Sequence, residues 1–171
     1  MAEDGDARPV SRSSSELIRW MSIQDANSAG FVHGGVVMRM CDEVAGIAAI
    51  RHSGNRVVTA GMDRMTFTEP VHVGELLRCR ACVNAVWRTS MEVGVRVEAE
   101  NAVTAEVRHT STAYLTMVAV DQNGEPMRVP PLITETPDEE RRQREAETRR
   151  RNRLAEREEI LKGRQVAAEP G

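Results

Sequence analysis

Apolar positions follow two different periods along this chain, and polar stretches lie at both ends. Residues 1–15 (MAEDGDARPVSRSSS) carry few apolar side chains, which predicts a disordered tail. ELIRWMSI (16–23) can form a short strand, with a loop over 24–32. From His33 to His52 nearly every position is apolar, as in VVMRMCDEVAGIAAI, with Arg39, Asp42 and Glu43 as the exceptions. The run is too long for an ordinary strand, and a helix apolar on all sides is predicted to be buried. Ser53-Gly54-Asn55 stops it.

Beyond the helix the period drops to two. RVVTAGMDRMTF (56–67) is a candidate strand, followed by the Pro- and Gly-punctuated connection EPVHVGE (69–75). In LRCRACVNAVW, Leu77, Cys79, Ala81, Val83, Ala85 and Trp87 fall on one face. In MEVGVRVEAE, Met91, Val93, Val95, Val97 and Ala99 oppose Glu92, Arg96, Glu98 and Glu100. Arg88-Thr89-Ser90 joins the two tightly, and VRHTSTAYLTMVAVD closes at the turn signal QNG (122–124). One long central helix wrapped by a curved antiparallel sheet accommodates this order, an α+β hot-dog arrangement over 16–135. One helix does not cover both sheet faces and an edge stays open, so subunit pairing is expected.

Residues 136–171 are a charged C-terminal helix and tail. Thr136 is a candidate N-cap, Pro137 sits at the first helical position and Glu139 would complete a capping box. EERRQREAETRRRNRLAEREEILKGR offers Leu154, Ile160 and Leu161 as its clear apolar anchors. It reads as a solvated helix laced by ion pairs, or else as a basic segment, RRRNR, that docks anionic phosphates.

Composition narrows the function classes. A net charge of -3 and 3% aromatic residues argue against a nucleic-acid surface built on bulk charge or base stacking. No apolar run is long enough to span a membrane, and the polar, acidic N-terminus lacks the core of a signal peptide. Cys41, Cys79 and Cys82 lie in apolar periodic segments, which suits a reducing, cytoplasmic setting. Cys79 and Cys82 are spaced CxxC, but alternation sends them to opposite faces and no second ligand pair exists, so no metal site is expected. His52, His72 and His109 lack metal-type spacing, and Ser90 has no His/Asp partner in sequence.

The chemistry gathers in NSAGFVHGGVVMRMCDE (27–43). Arg39 could pair with both acids, and Glu43, at i+4, is well set for it. Asp42 would then face something other than Arg39, among Met38, Cys41, Val44 and Ile47, where an unpartnered carboxylate is costly and therefore a functional candidate. Gly34 and Gly35 would open the first backbone N–H groups of the helix to a carbonyl oxygen, aided by the helix dipole. With the amide of Asn27, this set could hydrolyse an ester or thioester. His33 could contact substrate, serve a hydratase-type reaction, or simply cap the helix. Asp63 could mark a bulge or a subunit contact.

These segments, NxxGFVHGGVVMRMCDEVAGIAAxRH followed by VVTAGMDRMTF, EPVHVGE, RTSMEVGVRVEAE and VAVDQNGEPMRVPPL, resemble the hot-dog acyl-CoA thioesterases, the cytosolic acyl-CoA hydrolases in particular. The resemblance covers roughly 17–135. It implies cleavage of fatty acyl-CoA to free acid and coenzyme A, with no cofactor because coenzyme A belongs to the substrate. It implies an active site across a dimer interface, from the asparagine matched by Asn27 and the helix acid matched by Asp42. The backbone at Gly34 and Gly35 would hold the thioester oxygen, and Arg88, Thr89 and Ser90 would contact coenzyme A. The implied assembly is a homo-oligomer, a dimer or a trimer of dimers, with no nucleic-acid or membrane partner. A Cys before the helix acid and GMD in the next strand depart from the usual Met and SVD. A non-catalytic acyl-CoA sensor on the same fold is the alternative.

Overall fold

The two-residue period is cleanest in the two strands that form the sheet centre. The computed structural model describes residues 6–168, with side chains to 164. In chain order its elements are β1 (Arg8–Pro9), β2 (Ser15–Trp20), α1 (Gly34–Ser53), β3 (Arg56–Met62), β4 (Leu76–Val86), β5 (Ser90–Glu100), β6 (Val107–Val120), β7 (Leu132–Ile133) and α2 (Pro137–Ala168). Five strands form one antiparallel sheet in the order β2-β4-β5-β6-β3, and β1 pairs with β7 in a short parallel ribbon. This is the hot-dog arrangement: the sheet curls around α1.

The inner face is apolar. Leu77, Cys79, Val83, Val93, Val97 and Leu115 are fully buried against one stripe of α1, formed by Val37, Cys41, Val44, Ala45, Ala48 and Ala49. Gly54 ends α1 in the left-handed region (φ 72°), where a side chain would be strained. A bulge between Val83 and Ala85 breaks the alternation, so Ala85 lies opposite Glu92 and Trp87 falls out of step with the Leu77 face.

The opposite stripe of α1 is not buried by its own chain. Met38 is 41% exposed and Ile50 48%, and Arg39, Asp42, Glu43 and Ile47 line the same side. The expectation of a helix buried all round is corrected here: a five-stranded sheet reaches one side of it.

Three other expectations change. The predicted tail is ordered from Arg8 onward. Val10 and Ser13 are buried, the Ser13 hydroxyl accepts from the Val83 N–H at 2.9 Å, and Arg8 donates to the His52 carbonyl; residues 1–5 lie outside the described residues. Short side chains that bond to backbone replaced the apolar signal that would have marked order. β3 stops at Met62 rather than Phe67, and the Asp63 carboxylate turns to Arg153 of α2 at 2.6 Å.

The largest change concerns α2, which packs on the outer face of the sheet. Ala146 is fully buried, while Leu154, Ile160 and Leu161 are about half exposed, so they are not its anchors. Arginines anchor it instead. Arg149 lies 3.6 Å from the Tyr114 ring centroid and forks onto the fully buried Glu92, at 2.7 and 3.2 Å. Arg153 bridges Glu92 and Asp63, and Trp87 Nε1 donates to Glu147 at 2.9 Å. Glu92 also accepts from Asn84 Nδ2. Pairing and hydrogen bonding offset the cost of burying its charge. The solvated ion-pair pattern does hold at the start of α2, where Asp138 pairs with Arg141 and Arg142. Thr136 caps the helix, accepting from the Glu139 N–H at 3.2 Å, but Glu139 reaches back to the Glu135 N–H rather than to Thr136. No described helix is long and apolar enough to cross a membrane.

Candidate active site

The site residues gather around the N-terminal half of α1. A tight loop precedes it. Asp25 organises this loop: its carboxylate accepts from the Ser22 N–H and hydroxyl and pairs with Arg19, and its carbonyl accepts from the His33 N–H. The Ser22 N–H above all, with the Ser22 hydroxyl and Arg19, holds the Asp25 carboxyl below the usual aspartate range despite its burial. Asn27 follows. Its Oδ1 accepts from the Ala29 and Phe31 N–H groups, at 2.9 and 3.2 Å, and Gly30 turns the chain at φ 85°. The Asn27 oxygen is therefore used to shape the loop. Its Nδ2 makes no hydrogen bond among the described residues and is the end available to a ligand or a second chain.

At the start of α1, His33 Nδ1 accepts the Gly35 N–H at 2.9 Å. His33 is thus a cap, and the Gly35 N–H expected to polarise a carbonyl is already engaged. The Gly34 N–H makes no hydrogen bond among the described residues, and the Phe67 ring borders Gly34. Of the two glycines expected to offer a donor, Gly34 is thus the one whose N–H stays open among the described residues.

Asp42 lies two turns further on, in the exposed stripe. Thr59 of β3 donates its hydroxyl to Asp42 Oδ1 at 2.6 Å, which leaves Oδ2 unbonded within the described residues. Glu43 pairs with Arg39 at 2.9 Å, as the i,i+4 spacing suggests, so the two acids are separated and Asp42 has no cationic partner among the described residues. The apolar side chains around it are open to solvent: Met38, Ile47 and Ile50 of α1, and Val58, 50% exposed, on edge strand β3. No hydrogen bond joins Asn27 to Asp42 within the chain. Thr59 was not singled out from the sequence. A threonine in a strand carries no distinguishing signal, and its role depends on which helix position faces it.

Of the remaining candidates, Arg88 is exposed and Thr89 and Ser90 are half-buried; the backbone carbonyls of Arg88 and Thr89 accept from Val129 and Ala119. Ser90 lines a cavity beneath α2. Cys79 is fully buried and Cys82 half-buried, on opposite faces as the alternation predicts, and Cys41, buried beside Cys79, drives the Cys79 thiol pKa upward together with burial. His52 is buried with Nε2 3.0 Å from the Pro130 carbonyl oxygen; burial holds its pKa down. The described residues contain no cluster of acids, histidines and cysteines that could hold a metal ion.

Comparison with known proteins bears on this arrangement. Residues 29–118 match the family model described as the thioesterase superfamily. The chain is 39% identical to the cytosolic acyl coenzyme A thioester hydrolase of Mus musculus over 142 residues, which is 82% of this chain but 37% of that protein. It thus spans little more than a third of that relative's length. It is 40% identical over 117 residues to the protein VdlD of Helicobacter pylori, 68% of this chain and 67% of that one. Among solved structures, a hexameric acyl-CoA thioesterase superposes with a TM-score of 0.85 at 38% identity, covering 88% of this chain and 97% of its own. The acyl-CoA hydrolase of Staphylococcus aureus, solved with butyryl coenzyme A, coenzyme A and coenzyme A disulfide, gives a TM-score of 0.86 at 31% identity over 95% of this chain and 99% of that one. Variants of the latter with an asparagine, an aspartate or a threonine changed to alanine have also been solved. With its sheet-wrapped helix, its helix-borne acid and a family match over more than half its length, the chain belongs to the thioesterase superfamily.

Proposed function

We propose that this protein hydrolyses fatty acyl-CoA thioesters to the free acid and coenzyme A, at a site completed by a second copy of the chain. One observation carries the reading. Asp42 is held through a single oxygen by Thr59, in the middle of an uncovered apolar stripe that runs from a helix N-terminus with an unengaged N–H. The free oxygen can take a proton from water as the water attacks the thioester carbon. The Gly34 N–H and the α1 dipole would stabilise the charge developing on the carbonyl oxygen. Asn27 of the partner subunit, with its Nδ2 available, would orient the water or the carbonyl. Thr59 fixes the carboxylate rotamer, so Asp42 acts from a defined position.

Covering the stripe formed by Met38, Ile47, Ile50 and Val58 is the physical reason for a homo-oligomer. It also removes bulk water from the carboxylate, which strengthens every polar contact there. The acyl chain would lie along the same apolar surface, and Arg88, Thr89 and Ser90 would lie against coenzyme A. No cofactor enters this reaction. The similar Staphylococcus aureus hydrolase supports the reading: its asparagine, aspartate and threonine variants have the same spacing along the chain as Asn27, Asp42 and Thr59 here.

The test is thiol release from a series of acyl-CoA chain lengths. Asp42→Ala should lower kcat by about 100-fold or more while the chain keeps its fold and assembly, the usual scale for loss of a general base. A folded Asp42→Ala protein that releases coenzyme A at the parent rate ends the assignment. Binding of acyl-CoA by the parent without any thiol release would mark a sensor instead of an enzyme.

A further inference from the structure

Beneath α2, on the outer face of the sheet, lies a cavity of about 310 Å³ that the proposed chemistry reaches only through Ser90. Ala60–Met62 of β3, with Asp63 just beyond it, form one wall. Trp87 and Ser90 line the start of β5, and Arg150, Arg153 and Arg157 of α2 close the opposite side. The three arginines are three and four residues apart, so they share one face of the helix. Their charge is poorly balanced. Asp63 is the one carboxylate among the lining residues, and Arg153 already holds it at 2.6 Å while also reaching Glu92.

Arg150 and Arg157 have no carboxylate within ion-pair distance among the described residues. Arg150 lies over the Trp87 indole, 4.2 Å from the ring centroid, which fixes the guanidinium plane and leaves its N–H edges for a ligand. Arg157 is exposed. The contrast within α2 is sharp: near its start, Arg141, Arg142 and Arg144 each pair with an acid three or four residues away. Unpaired guanidiniums thus collect where the helix roofs a hollow that also offers the Ser90 and Thr116 hydroxyls. Phosphate oxygens are the acceptors this geometry fits.

We propose that Arg150 and Arg157, with Ser90, bind the phosphate groups of coenzyme A. The inference rests on the thioesterase reading and extends it to α2. The link is β3, an edge strand. Thr59 of β3 holds Asp42 on one side, and the next four residues border the cavity. A ligand with a thioester at one end and phosphates at the other meets both features on a single strand. Arg153 stays with Asp63 and Glu92, where it holds α2 on the sheet, and Arg150 and Arg157 supply the charge.

The experiment compares acyl-CoA with the matching acyl-pantetheine, which has the thioester and no phosphate, on the full-length protein. In the double variant Arg150→Gln/Arg157→Gln, the KM for acyl-CoA should rise about tenfold, the scale of a lost charge-assisted contact. The KM for acyl-pantetheine should be the same in variant and parent. Arg157→Gln alone, at a side chain with no ion-pair partner among the described residues, should show the same selective change at about threefold. Arg151→Gln, which removes one charge from a different face of α2, controls for bulk electrostatics and should leave both KM values alone. Adenosine 3′,5′-bisphosphate should compete with acyl-CoA in the parent and lose potency in the double variant. Equal KM values for acyl-CoA in parent and double variant overturn the proposal, as does an equal rise for both substrates. Non-competitive inhibition by the bisphosphate, lost in a variant whose acyl-CoA KM is unchanged, also overturns it and assigns the cavity to a free nucleotide. Should the parent hydrolyse no thioester, calorimetric titration with coenzyme A decides separately: binding by the parent that weakens about tenfold in the double variant sustains the cavity assignment while the thioesterase reading fails.

Discussion

The two faces of the sheet are covered by helices of opposite character. The inner face meets α1 through small and medium apolar side chains, among them Val44, Ala45, Val93 and Leu115, all buried. The outer face meets α2 through Arg149, Arg153, Glu92 and Tyr114, with Ala146 as the buried small residue. Apolar packing is non-directional and tolerates sliding, whereas a forked guanidinium on a buried carboxylate fixes one register and is costly to break. The inner face therefore supplies most of the stability. The outer face sets where α2 lies, and with it where Arg150 and Arg157 are held.

Three substitutions probe that difference. Leu115→Ala opens a void in the inner face and should cost about 4 kcal/mol, read as a lower urea midpoint for the whole domain with an unchanged slope. Arg149→Ala leaves Glu92 with Arg153 and Asn84 and should cost about 2 kcal/mol, mostly as local opening of α2. Its signature is faster hydrogen exchange in α2 by about 30-fold with little change in the central strands. Equal acceleration in β4, β5 and α2 would mean that the two faces are one cooperative unit and that the comparison is wrong. The smallest effect belongs to Leu154→Ala, within about 0.5 kcal/mol, because this leucine is half exposed. A cost like that of Leu115→Ala would restore it as an anchor.

How far the sequence could be read differs between these regions for the same reason. β4 and β5 were legible because a period of two against one apolar helix leaves an unbroken alternation, and only the bulge after Val83 disturbs it. α1 was legible as a helix, with its glycine stop at Gly54, but not as a helix exposed along one side. Apolar residues awaiting a partner look the same in sequence as apolar residues covered by their own sheet. The docking of α2 was not legible, since an arginine that stacks on Tyr114 and one that faces solvent are the same letter, and ion pairs to neighbours three or four residues away were the simpler account of its charges. In the candidate site, Asn27, Gly34 and Asp42 stood out locally. Thr59 and the engagement of the Gly35 N–H by His33 Nδ1 did not.

The sequence by itself determined the periodic elements, their order and the acid in an apolar helix, because each is a property of neighbours along the chain. The tertiary structure decided which side of α1 the sheet covers, that Thr59 holds one oxygen of Asp42, and that α2 lies on the outer face through a buried Glu92. Those outcomes depend on contacts between residues far apart in sequence, whose energies follow from distance and burial, and neither quantity exists until the chain has folded.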